Sequence, residues 1–127
     1  MEGLSPSAAI DIVRILTIIK TMPSTPFTLQ FAPEVVDHMR AIERRHHTLI
    51  RQVLNEQLTF TPDVQTRNRK PMEPPAPLEA TWELRFGPGN RFRAFYEVDA
   101  AERVVRVLAI GVKRRNRLVI GREELET

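Results

Sequence analysis

The spacing of hydrophobic residues changes along the chain from a helical period to the alternation of strands. Residues 27–31, FTLQF, alternate as a short strand does. Hydrophobic residues then recur at three- and four-residue spacing in two stretches: Val35, Val36, Met39 and Ile42, followed by Leu49, Ile50, Val53, Leu54 and Leu58. RRHH, residues 44–47, separates them. The pattern predicts a strand followed by an antiparallel pair of helices that ends near Pro62.

Beyond residue 81 hydrophobic and polar residues alternate, which indicates a β-hairpin. The outgoing strand alternates Trp82, Leu84 and Phe86 with Glu83 and Arg85. GPGN, residues 87–90, has the composition of a turn. The returning strand carries Phe92, Ala94, Tyr96 and Val98 on one face and Arg91, Arg93, Phe95 and Glu97 on the other. The hydrophobic face of the hairpin is therefore predicted to cover the helices, and the arginine-bearing face to turn away from them.

Two further strands complete the predicted sheet. Residues 104–112 are apolar on both faces apart from Arg106, as expected of a central strand, and residues 118–120 are predicted as a last short strand. The predicted fold class is α+β, with a short N-terminal strand, an antiparallel helical hairpin and a twisted, mainly antiparallel sheet. Residues 27–127 are predicted to form this domain.

Basic residues cluster on both sides of the predicted hairpin. Residues 66–71, TRNRKP, contain three cations and no acid, and the prolines that follow predict an extended tether as far as residue 81. KRRNR, residues 113–117, follows the central strand. We expect these runs and the hairpin arginines to share one RNA-binding surface, with Arg67, Arg69, Lys70, Arg91 and Lys113 as contacts. The alternative is that the TRNRKP cluster caps the carbonyl end of the second helix or pairs with acids.

Residues 1–26 are predicted to be an N-terminal extension. The apolar stretch AAIDIVRILTII, residues 8–19, contains Asp11 and Arg14 and is shorter than a membrane span, so we expect neither a signal peptide nor an anchor. As a helix, it would have to bury its apolar surface against the domain or against a second copy in a homodimer. Its isoleucines equally allow a strand. Met22 leaves a further alternative, that residues 1–21 reflect an upstream start.

Charge is unevenly distributed along the chain. The net charge is +3, but twelve Lys and Arg residues stand against six Asp and Glu residues between positions 67 and 117. Nearly all the bases are arginine, whose planar fork suits phosphate or carboxylate. Without cysteine, disulfides, thiolate metal sites and a cysteine nucleophile are excluded. We expect a cytoplasmic protein without metal or cofactor, whose histidines, His38, His46 and His47, lie on the helical side.

The order of these elements, together with the phrases TRNRKP, WELRF, FRAFYEV, VLAIGVK and IGREE, resembles the RelE/ParE toxin superfamily over residues 27–124. The resemblance implies a small toxin of a type II toxin–antitoxin system, neutralised by a cognate antitoxin segment that wraps over it. RelE-like members cleave mRNA on the ribosome, whereas ParE-like members poison gyrase.

The same resemblance implies candidate catalytic residues. Arg85 and Arg93 match cations around the scissile phosphate of RelE-like toxins, and Arg114 falls close to another. Glu83 stands near the position of a lysine in RelE, and Ile120 stands where RelE has a C-terminal tyrosine. Metal-independent ribonucleolysis needs a base for the 2′-hydroxyl, cations for the charged phosphorane and an acid for the leaving oxygen. Glu83 is the candidate for the base.

Two functional hypotheses follow from the sequence. The chain is a ribosome-dependent mRNA endonuclease, or it is a non-enzymatic binder, either a gyrase poison or a degenerate toxin that only holds its antitoxin. The hairpin arginines favour the first. The second is favoured because Tyr96 is expected to point into the core and cannot replace the missing tyrosine. Arginines on a strand also commonly serve only solvation, and Glu83 and Glu97 could balance the charge of Arg85 and Arg93.

Overall fold

The computed structural model describes residues 25–125, so the helix or strand expected within residues 1–24 lies outside the described part. The described residues form an α+β fold with two helices and a mixed, largely antiparallel sheet, as predicted. The elements are β1 (Thr28–Phe31), α1 (Glu34–Arg40), α2 (His47–Leu58), β2 (Arg69–Pro71), β3 (Trp82–Phe86), β4 (Phe92–Asp99), β5 (Val104–Arg114), β6 (Arg117–Ile120) and β7 (Glu123–Leu125). Neither helix in residues 25–125 is long and apolar enough to cross a membrane.

Strand β5 is the centre of the sheet, in agreement with its apolar sequence. β4 pairs antiparallel along one edge of β5, and β1 and β6 share the other edge. β1 lies parallel to residues 104–107, whereas β6 lies antiparallel to residues 111–114. The strand order is β2-β3-β4-β5-β6-β7, with β1 beside β5. A parallel pair cannot be joined by a tight turn, and the connection from β1 to β5 passes through both helices and the β3–β4 hairpin.

A side chain from α1 fills the gap between β1 and β6 on the edge of β5. The N–H of Ile110 lies in this gap, and it donates a hydrogen bond of 3.3 Å to Nδ1 of His38. A buried backbone N–H without a partner is costly, so the histidine replaces a missing strand contact. His38 therefore holds α1 against the sheet.

The helices cover one face of the sheet, and the main core lies between the helices and that face. Ile50, Leu54 and Leu58 of α2 are buried, each contributing about 1.5–3 kcal/mol by the usual scale of side-chain burial. They pack against the buried sheet residues Leu84, Phe86, Phe92, Ala94, Tyr96, Val105, Val107, Ile110 and Val112. The hydrophobic face predicted from the alternation in residues 82–98 therefore covers the helices.

The opposite face carries a second, smaller core. Phe95, Ala109, Leu118 and Ile120 form it, together with Ala80 and the partly buried Met72. The last two belong to the proline-rich segment predicted to be an extended tether. That segment is in part a strand, because β2 pairs antiparallel with β3 before the chain crosses this second face.

Candidate functional site

One row of residues runs straight across the sheet on the face opposite the helices. The registers pair Arg85 with Arg93, Arg93 with Gly111, Gly111 with Ile120, and Ile120 with Glu123. Directly paired residues of a ladder project from the same face, so the five positions form a continuous line, here called the arginine row. Its two arginines lie at one end and its carboxylate at the other.

The two arginines of the row oppose each other without an intervening residue. Like charges in directly paired positions destabilise a sheet unless something compensates them. Glu83 compensates in part, since its carboxylate accepts a hydrogen bond from Nε of Arg85. Glu97 does not contribute, because it pairs with Arg106 instead. Glu83 therefore binds one of the two guanidinium groups, that of Arg85.

Arg93 is the more buried of the pair, with 6% of its surface exposed. Its Nη1 donates to the backbone carbonyls of Asn90 and, at 3.2 Å, Phe92. Burial lowers the pKa of Arg93 and the neighbouring Arg85 lowers it further, while Glu83 raises it. Among the residues the structure describes, no carboxylate lies within 4.0 Å of this guanidinium. Because an arginine stays protonated in proteins, the site holds a buried cation that an anion would stabilise.

Two lysines extend the positive charge of this face. Lys70 pairs with Glu83 across β2 and β3, so this lysine lies beside the carboxylate that binds Arg85. Lys113 lies two residues beyond Gly111 on β5 and so projects from the same face. Both lysines are exposed. Lys70 and Arg85 thus flank Glu83, and Lys113 extends the positive charge on the other side of the arginine pair.

Arg67 and Arg114 lie outside the arginine row. Arg67 is exposed in the loop before β2. Arg114 is exposed at the end of β5, where it pairs with Arg117, and by alternation it projects from the opposite face to Lys113. Arg114 therefore lies on the other face of the sheet, and the catalytic role that the resemblance implies for it lacks support from this geometry.

Arg69 does not belong to the surface on which the sequence suggested an RNA contact. It pairs with Leu84 on the helix-facing side and is 6% exposed. Its Nη1 donates to the carbonyls of Gln57, at 2.7 Å, and Thr61, and its Nε approaches Oγ1 of Thr66. Arg69 therefore caps the carbonyl end of α2, which was the alternative interpretation of the TRNRKP cluster.

Arg91 also departs from its predicted position on the arginine face. Its backbone is helical, with φ −74° and ψ −21°, because it closes the turn at residues 88–90 and precedes β4. Strand alternation therefore does not apply to it. Its guanidinium carbon lies 5.3 Å from the ring centroid of Phe92, a residue of the helix-side core. The predicted RNA contact at Arg91 lacks support from this geometry.

The groups that could transfer protons near the row are few and engaged. The Glu83 carboxylate binds Arg85, as described above. Tyr96 is buried on the other face, where its hydroxyl donates a 2.6 Å hydrogen bond to the carbonyl of Pro62. Burial raises the pKa of this tyrosine far above its ordinary value. Ile120, the fourth of the five positions in the row, offers no polar atom, so the site is better equipped to bind an anion than to move a proton.

A pocket at the carboxylate end of the row was missed by the sequence analysis. It has a volume of about 790 Å³ and is lined by His38, Leu78, Ile120 and Glu123, among others. His38 was expected on the helical side, without a role. The helical spacing of α1 gives no signal for this pocket, because it depends on the gap at Ile110 in the edge of β5. Within residues 25–125 no group of histidines and carboxylates could hold a metal ion.

Comparison with known proteins adds no relative. No family profile matches the chain, and no curated protein is significantly similar to it.

Proposed function

We propose that the chain is the toxin of a type II toxin–antitoxin system, with a RelE-like domain that acts on mRNA at the ribosome in the cytoplasm. Two findings support the proposal: the order of one strand, two helices and a largely antiparallel sheet, and the cations on the sheet face that the helices leave uncovered. The phrases TRNRKP, WELRF and FRAFYEV carry the resemblance on which the assignment depends.

The observation that carries the proposal is the pairing of Arg85 with the buried Arg93 around the single acid Glu83. A phosphate oxygen between the two guanidinium groups would supply the missing negative charge. Charge builds up on the phosphorane during cleavage, so two fixed cations would stabilise the transition state more than the ground state. Glu83 is the candidate base for the 2′-hydroxyl once the phosphate displaces it from Arg85.

The test is cleavage on purified ribosomes translating a defined mRNA, with the 5′ ends of the products mapped. We expect new 5′ ends within the codon being decoded. Arg85→Ala and Arg93→Ala should each reduce cleavage by at least about 100-fold, on the scale of removing an oxyanion-stabilising donor. The matched control is Arg45→Ala, an exposed arginine in the turn before α2. Full cleavage by both row variants would contradict the assignment.

A second candidate function is non-enzymatic binding, as in a gyrase poison or a degenerate toxin that only holds its antitoxin. It is favoured by one observation, namely that the carboxylate of Glu83, the candidate base, and the hydroxyl of Tyr96 are both engaged in hydrogen bonds. An absence of new 5′ ends, together with inhibition of gyrase-dependent supercoiling, would favour this candidate.

The partner expected of either candidate is an antitoxin segment. An apolar groove of about 450 Å³ lies between β1 and the helices, lined by Phe31, Val36 and Met39 and flanked by Arg40 and Arg51. Phe31 and Val36 are half exposed. The groove suits an amphipathic segment with acidic flanks, and binding of such a segment should raise the melting temperature by mass action.

A further inference from the structure

One nitrogen of the Arg93 guanidinium is anchored to the main chain of the turn that precedes β4. Nη1 of Arg93 donates to the carbonyl of Asn90, the last residue of the turn at residues 88–90, and to that of Phe92 at 3.2 Å. Both acceptors are neutral, and no described carboxylate lies within 4.0 Å of this guanidinium. The main chain therefore fixes the buried side chain without neutralising its charge.

The remaining nitrogens of the same guanidinium are unused. Within residues 25–125, Nε and Nη2 of Arg93 donate no hydrogen bond, and neither atom is enclosed by the protein. Two adjacent nitrogens of a guanidinium make the parallel, bidentate contact with phosphate oxygens. Nη1 is thus the nitrogen that a bidentate contact through Nε and Nη2 does not need.

The carbonyl of Asn90 is aimed by an uncommon backbone conformation. Asn90 has a φ of 52°, in the left-handed region, as do Gly87 and Gly89 in the same turn. Glycine and asparagine tolerate this region, whereas a β-branched residue is strained there. The side chain of Asn90 is exposed and hydrogen-bonds to no described residue. The asparagine therefore serves the conformation of the main chain.

The turn is itself held on two sides, so its carbonyls are fixed acceptors. The N–H of Asn90 donates to the carbonyl of Gly87 at 2.9 Å, and the N–H of Lys113 on β5 donates to that of Arg91 at 2.7 Å. The ring of Phe92 packs against Gly87, where a side chain would come within 2.5 Å of it. The turn is thereby joined to the central strand and to the main core.

We propose that Asn90 is a positioning residue of the phosphate site. Its left-handed backbone holds Nη1 of Arg93, so that Nε and Nη2 meet a phosphate as a ready-made pair. The entropy of ordering a long side chain is then lost on folding and not on binding. This inference rests on the proposed phosphate site and adds the element that orients its buried cation.

Binding of a labelled single-stranded RNA, followed by fluorescence anisotropy, tests the inference without relying on catalysis. Asn90→Val should bind about three- to tenfold more weakly, on the scale of ordering one long side chain, whereas Asn90→Gly should bind as the wild type does. Asn90→Ala imposes less strain and should give an intermediate loss, which secures the comparison if Asn90→Val does not fold. The matched control is Leu78→Val, which puts the same strain at a φ of 53° in another loop and should leave RNA affinity unchanged.

NMR of the arginine side chain gives a readout that a loss of stability alone does not change. Hydrogen bonds to Nη1 slow the rotation of a guanidinium about its Nε–Cζ bond, so we expect separate Nη1 and Nη2 signals for Arg93 in the wild type and in Leu78→Val. In Asn90→Val the two signals should move toward coalescence. Separate signals in Asn90→Val would overturn the inference.

Arg93→Ala separates this inference from the proposed function. If Arg93→Ala weakens RNA binding but Asn90→Val does not, the phosphate site stands and the role of Asn90 is wrong. Equal weakening by Asn90→Gly and Asn90→Val would also contradict it, because the side chain and not the backbone would then matter. If Arg93→Ala binds RNA as the wild type does, the phosphate site and this inference both fail. The double variant with Asn90→Val and Arg93→Ala should bind as Arg93→Ala alone does, and a further loss would show that Asn90 does not act through Arg93.

Discussion

Arg69 and Lys70 are consecutive residues that lie on opposite faces of the sheet. Arg69 pairs with Leu84 and turns toward the helices, whereas Lys70 pairs with Glu83 and turns toward the arginine row. The short strand β2 thereby divides one basic cluster between two roles. One cation closes the end of α2, and the other enlarges the positive surface.

The first prediction concerns stability. Arg69→Ala should lower the free energy of unfolding by about 2–3 kcal/mol, because it leaves the carbonyls of Gln57 and Thr61 at the end of α2 without their charged donor. Urea denaturation measures the loss. Lys70→Ala is the matched control, and its midpoint should equal that of the wild type. Equal destabilisation by both variants would contradict the division of roles.

The second prediction concerns salt. Lys70→Ala and Lys113→Ala should each weaken binding of a single-stranded RNA and reduce the slope of log K against log salt by about 0.7, as for one lost phosphate contact. Fluorescence anisotropy measures the slope between about 50 and 300 mM salt, where counterion release makes the affinity fall steeply. Arg45→Ala, on the helix side, should leave the slope unchanged. If the slope is unchanged in the lysine variants as well, Lys70 and Lys113 do not contact the RNA.

The third prediction separates binding from chemistry at Glu83. Its carboxylate competes with any phosphate for Arg85, so Glu83→Gln should increase RNA affinity several-fold, on the scale of one removed unfavourable charge contact. The same variant should abolish cleavage if this carboxylate is the base. Anisotropy and mapping of 5′ ends report the two effects separately. Increased affinity with unchanged cleavage would exclude Glu83 as the base.

Much of the fold follows from sequence patterns, because local periodicity reports which side of an element is buried. The alternation in residues 82–86 and 92–98 predicts the hairpin and its two faces, and with them the opposition of Arg85 and Arg93. Residues 104–112 predict the central strand for the same reason. In these stretches the local pattern and the tertiary burial agree.

The remaining features depend on partners distant in the chain. The prolines around the three-residue strand β2 prevent its prediction from the sequence. The face to which Arg69 points is set only by the register with Leu84. Arg91 does not follow the strand alternation of β4, because the turn at residues 88–90 continues through it. The parallel pairing of β1 with β5, and the pocket at His38 next to it, arise from contacts more than 70 residues apart in sequence. No local pattern encodes such contacts.

The fourth prediction is a pH dependence that originates at His38. Its pKa is lower in the folded protein than its ordinary value of 6.5, so the unfolded chain binds the proton more readily. The stabilising contribution is fully present above about pH 6.5 and is lost as the pH falls through the folded pKa. Thermal melts from pH 8 to pH 5 of the wild type and His38→Asn measure it, since the asparagine oxygen can still accept from Ile110. The wild type should lose stability relative to this variant below pH 6.5, and parallel curves would contradict the prediction.

The last prediction tests whether the site lacks only a proton-transfer group. Ile120 is buried between Gly111 and Glu123 in the row and lines the pocket, so a larger side chain can extend into existing space. Ile120→Tyr would put a phenol between the arginines and Glu123, where RelE-like toxins have their tyrosine. If the protein is an impaired endonuclease, cleavage on ribosomes should rise by at least about tenfold, within the usual range for a general acid or base. Ile120→Phe is the control, because it brings the same ring without the hydroxyl and should leave cleavage at the wild-type level. Equal cleavage by the two variants, with melting temperatures that show both to be folded, would favour the non-enzymatic alternative, in which the arginine row only binds.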